Sequence, residues 1–79
     1  MLNYQILLEK LAELEHEQWV EWSKQIAKTE NISQERLARW IPLWKPYKYL
    51  SPEVQEQDRK WARKVIVLLE KTNKEANNK

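Results

Sequence analysis

No glycine occurs in the 79 residues. Tight two-residue hairpins rely on residues at positive φ, and phosphate-cradling loops rely on glycine itself. A chain without it is steered toward helices joined by ordinary turns. Its punctuation falls to Pro42, Pro46 and Pro52. Tyr4, Leu8, Leu11, Ala12, Trp19, Trp22 and Ile26 recur at three- and four-residue spacing, which predicts an amphipathic helix over about 3–28 with Asn3 as its cap. The stretch KTENIS interrupts that pattern, and Asn31 or Ser33 can cap a second helix over 34–41 with Leu37, Trp40 and Ile41 on its buried side. Pro42 and Pro46 stop it, because proline has no amide proton and disfavours helix in the residue before it. Ser51-Pro52-Glu53 then supplies a cap, a proline at the first helical position and an acid at the positive end of the dipole. The third helix is expected over 52–71, burying Val54, Trp61, Ala62, Val65, Leu68 and Leu69.

The expected fold class is all-α: a single small three-helix domain over 1–71. Its two long helices pack together, a short middle helix lies between them in sequence, and the proline- and aromatic-rich segment 42–50 covers one end. The remainder, TNKEANNK at 72–79, is polar and expected to fray. A domain this short buries only about 60% of its unfolded surface, so the core is thin. With no Cys and only one His, it has neither disulfides nor an ordinary zinc site to reinforce it, and no metal or cofactor is expected. Five Trp are the remaining resource. Trp19, Trp22 and Trp61 lie on the apolar stripes and read as core, and a closed homo-oligomer is expected to add burial that one chain lacks. No apolar run is long enough for a bilayer and the start lacks the order of a signal peptide, so a soluble cytoplasmic protein without membrane contact is expected.

The formal charge is +2, too slight for general attraction to a nucleic acid. Its distribution says more. Arg36, Arg39, Lys45 and Lys48 fall in a stretch with no acid between Glu35 and Glu53, around the segment RWIPLWKPYKYL at 39–50. Trp40, Trp44 and Tyr47 stand among those cations. They form either a packed cover or a surface for something flat and anionic.

At about 100° per residue, Glu15 falls inside the apolar stripe of the first helix and Asp58 inside that of the third. One reading has both satisfied internally, by indole N–H groups, backbone amides, or Arg36, Arg39 or Arg59. The other has them lining a polar cavity, where they accept hydrogen bonds from ribose hydroxyls or a base edge. His16, at the edge of the first stripe, is either a packing residue or part of that cavity. Paired carboxylates also suit general acid–base work. Without a metal set or an activated nucleophile, no enzyme is expected.

The segments LAELEHEQW and PYKYLSPEVQEQDRKWARKVI resemble the RyR domain, the repeat of ryanodine receptors also found in bacterial and phage proteins. Leu11, Ala12, Glu13, His16, Glu17 and Trp19 match the L-A-E-x-x-H-E-x-W element. Pro46, Tyr47, Leu50 and Ser51 match P-Y-x-x-L-S, and Asp58, Arg59 and Ala62 match D-R-x-x-A. The resemblance covers about residues 8–69, with an Arg- and Trp-containing helix standing where the family carries Gly-Trp-x-Tyr-Gly. It implies a non-catalytic helical module that recognises a nucleotide-derived ligand, and a free-standing phage-type copy suits sequestration. The candidate ligand-binding residues are then Glu15, His16 and Trp19 on the first helix and Arg36, Arg39 and Trp40 on the second. Trp44, Lys45 and Tyr47 join them from the connecting segment, and Asp58 and Arg59 from the third helix. The alternative is a protein-interaction or oligomerisation module using the same aromatic surface.

Overall fold

The computed structural model describes residues 3–77, and three α-helices form as the sequence predicts, with no strand among those residues: α1 (Tyr4–Thr29), α2 (Gln34–Trp40) and α3 (Pro52–Asn77). Each start is built by the side chain expected there. Asn3 Oδ1 accepts from the amides of Gln5 and Ile6 at 2.9 and 3.3 Å. Of the two possible caps for α2, Ser33 is the one used, accepting from the Arg36 amide at 3.1 Å. Ser51 does the same for the Val54 amide at 3.4 Å, with Pro52 as the first residue of α3. These caps satisfy amides that the first turn leaves without partners. Pro42 does not abolish helix at once: it sits early in a single 3₁₀ turn, Ile41–Leu43, and a second such turn follows at Tyr47–Tyr49.

α1 and α3 run antiparallel and pack along their length. Their seam is made by small and medium side chains four residues apart: Leu8, Ala12 and His16 on α1, against Asp58, Ala62 and Ile66 on α3. Ala12 and Ala62 are fully buried, so the two backbones approach closely there. Tyr47 and Leu50 complete the core, with Leu7, Leu11, Leu43 and Val54 packed around it. No helix among the described residues is long and apolar enough to cross a membrane.

The structure corrects the sequence reading at three places. Trp61, expected in the core, is 56% exposed, and Trp22, Leu68 and Leu69 are also exposed. α3 carries more apolar residues than one face can bury, and the close approach at Ala62 leaves no room for an indole in the seam. Ile41, expected on the buried side of α2, is exposed as well. Finally, α3 continues to Asn77 through most of the tail expected to fray. Residues 72–77 contain no proline or glycine to stop a helix, and Lys, Glu and Ala favour its continuation. Residues 78–79 of that tail lie outside the described ones.

Candidate functional site

The connecting segment lies lengthwise along α1 instead of only closing one end. Three polar contacts fasten it in sequence. The Trp44 indole donates to Ser23 Oγ at 2.9 Å, and that hydroxyl donates onward to the Val20 carbonyl at 3.1 Å. His16 Nε2 lies 2.7 Å from the Lys45 carbonyl. A carbonyl can only accept, so Nε2 carries the proton. Tyr47 donates its hydroxyl to Glu9 Oε2 at 2.8 Å, and Arg59 Nε donates to Glu9 Oε1. Gln55 closes this clamp, donating to the Tyr47 carbonyl at 3.0 Å and accepting from Arg59 Nη2 at 3.2 Å. The Arg59 guanidinium holds the Glu9 carboxyl below its ordinary range, and burial followed by the Glu9 contact pushes the Tyr47 phenol up to about 12.

On the other side of His16, aromatic rings form a row. His16 stacks on Trp19 at 6.1 Å, and Trp40 meets Trp19 edge-on at 5.9 Å and tilts against Trp22 at the same separation. The Arg36 guanidinium stands 5.9 Å from the Trp40 ring. Asp58 faces this row from α3. Its Oδ2 is 3.8 Å from His16 Nδ1, a separation that admits Coulomb attraction but exceeds a hydrogen bond. Burial raises the Asp58 pKa, His16 opposes that rise, and Glu15, half-buried on α1, adds to it.

His16 stands between two clefts. The first, about 360 Å³, is lined by His16, Trp19, Arg39, Trp40, Leu43, Val54, Gln57 and Asp58. It gathers five candidate residues, contributed by α1, α2 and α3. The second, about 510 Å³, contains His16, Trp44, Lys45 and Tyr47, but its α1 wall presents Glu13, Glu17 and Glu21 against Lys24 and Lys45. Those three carboxylates make the larger cleft the wrong one for an anion. The candidates therefore divide. Arg36 lies on Trp40, outside the lining of both clefts, and Lys48 stands 5.1 Å from the exposed Tyr49 ring. Arg59 is engaged by Glu9, and Tyr47 belongs mainly to the core at 6% exposure.

Glu9, Ser23 and Gln57 were not among the residues singled out from sequence. Ser23 had a signal, since it continues the α1 seam seven residues beyond His16. Glu9 and Gln57 had none, being two among many polar residues of long helices. No cluster of three or more metal-ligating side chains occurs among the described residues. Comparison with protein families, with curated proteins and with solved structures finds no match to this chain.

Proposed function

We propose that this protein is a non-catalytic receptor for a small anionic ligand with a flat ring, of the nucleotide-derived class, bound in the cleft between α2 and α3. The observation that carries this reading is the convergence of Arg39, Trp19, Trp40, His16 and Asp58 on one cleft of about 360 Å³. That volume is at the low end of the roughly 300–1,000 Å³ typical of ligand pockets, suited to one nucleotide unit. Arg39 supplies a cation for phosphate, the indoles supply faces or edges for a base, and Asp58 with Gln57 can accept from ribose hydroxyls or a base edge. The resemblance to RyR domains points the same way, since His16, Trp19 and Asp58 belong to its motifs. On this reading the protein acts in the cytoplasm, where nucleotide signals circulate, and sequesters its ligand. Trp44 and Tyr47, turned inward by Ser23 and Glu9, take no part in stacking.

Calorimetric titration with mono-, di- and cyclic dinucleotides tests the proposal. Wild type should bind at least one of them, and Trp40→Leu and Arg39→Gln should each weaken binding about tenfold or more, as expected for loss of a stacking or phosphate contact. Trp44→Leu should leave affinity unchanged. Absence of heat with every nucleotide would sink the reading, and so would dependence on Trp44 but not Trp40.

A further inference from the structure

Two hydrogen-bond acceptors face each other in the cleft of about 360 Å³. The Nε2 proton of His16 goes to the Lys45 carbonyl, which leaves Nδ1 of the neutral imidazole as an acceptor, and Asp58 Oδ2 stands 3.8 Å from it. The two side chains are 5% and 19% exposed, and neither atom takes a hydrogen bond from the protein among the described residues. No side-chain nitrogen or oxygen among those residues is fully enclosed without a partner, so both acceptors open on the cleft they line. A group with two donor hydrogens can reach both at once.

Arg39 fixes the other property of that group. It lines the same cleft and stands in no ion pair among the described residues, with Asp58 or any other acid. An ammonium or guanidinium donor would be set against this guanidinium in a cleft that Trp19 and Trp40 make partly apolar. A ligand suited to both ends therefore presents neutral N–H donors on a flat ring and carries its negative charge elsewhere. Of the common bases, only guanine has adjacent donors on its pairing edge, N1–H beside the N2 amino group. A carboxylate accepts N1–H and one N2–H side by side, and the second N2–H is left for a further acceptor. Adenine and cytosine place a lone pair next to their amino group, where it would meet a carboxylate oxygen. Uracil has a single N–H between two carbonyls.

We propose that, on the nucleotide reading of this cleft, the base of the ligand is guanine: Asp58 accepts from N1–H and N2–H, His16 Nδ1 accepts the remaining N2 hydrogen, and Arg39 meets a phosphate. A mismatched base leaves a largely buried carboxylate unpaired or opposed by a lone pair, and sites that read a base through hydrogen bonds reject such analogues more strongly than shape alone does.

Calorimetric titration of the full chain with the monophosphates and cyclic dinucleotides of guanine, hypoxanthine and adenine separates these contacts. Hypoxanthine keeps N1–H but lacks the N2 amino group, and adenine lacks both donors. Within each phosphate form that binds, the guanine nucleotide should bind about tenfold tighter than the hypoxanthine one and about a hundredfold tighter than the adenine one. Asp58→Asn keeps the shape of the side chain and exchanges one acceptor oxygen for an N–H donor. It should lower affinity for the guanine nucleotide about a hundredfold and raise that for the xanthine nucleotide, whose carbonyl stands where guanine has its amino group. Such a gain cannot arise from misfolding. Equal affinities for guanine and adenine nucleotides in wild type, or a preference for adenine, would overturn the guanine assignment and leave the nucleotide receptor standing. So would an Asp58→Asn variant that keeps the guanine preference. Absence of heat with every nucleotide would overturn both.

Discussion

The two sides of the α1–α3 hairpin differ in what holds them. On the covered side, Glu9, Tyr47, Gln55 and Arg59 exchange hydrogen bonds across 38 and 50 residues of sequence, and the connecting segment is fastened again at His16 and Ser23. The bare side has large apolar residues and, among the described residues, no comparable polar tie. A chain with so small a core uses directional contacts to fix where its connecting segment lies.

The contrast can be broken most severely at Tyr47. Tyr47→Ala removes a core aromatic and leaves Glu9 with one partner fewer, and should cost about 3–5 kcal/mol in denaturant unfolding, most of what so small a domain can have. A loss below about 1 kcal/mol would show that the covered side is not the structural one.

A smaller effect is expected from Glu9→Gln. The side chain is 43% exposed, so solvent screens its ion pair and the expected loss at neutral pH is about 1 kcal/mol. Because the folded-state pKa of Glu9 is lowered, its contribution is present above the ordinary carboxylate pKa and disappears as pH falls through the lowered value. Wild type and variant should therefore converge in thermal stability in acid. Equal separation of the two melting curves at neutral and strongly acidic pH would refute the charge-based account of the clamp.

The smallest effect is expected at Val67, 52% exposed on α3. Val67→Ala should change unfolding by no more than about 0.5 kcal/mol, as for surface positions generally. A larger loss would mean that the outward face of α3 is buried in solution.

The helix starts were legible because capping is local: Asn3, Ser33 and Ser51 each act on amides two or three residues away. Trp61 was misread because α3 offers two apolar stripes, and what chooses between them is the close approach of Ala12 and Ala62. Alanine contributes little to a hydrophobic pattern, yet its lack of bulk sets the seam. Part of the site could be read in the same way. Trp19 and His16 stood out on and beside the apolar stripe of α1, and Asp58 as a carboxylate on that of α3. That Arg59 belongs to the covered side could not be read, because its partner Glu9 is a polar residue of ordinary appearance 50 residues away.

His16 has one more property that follows from its bond to the Lys45 carbonyl. With Nε2 committed as a donor, Nδ1 is left as the acceptor of the ring, and that nitrogen faces Asp58. One ring thus carries a donor edge spent on the connecting segment and an acceptor edge turned toward α3. The contact that latches the segment to α1 therefore also decides which atom the ring offers to Asp58.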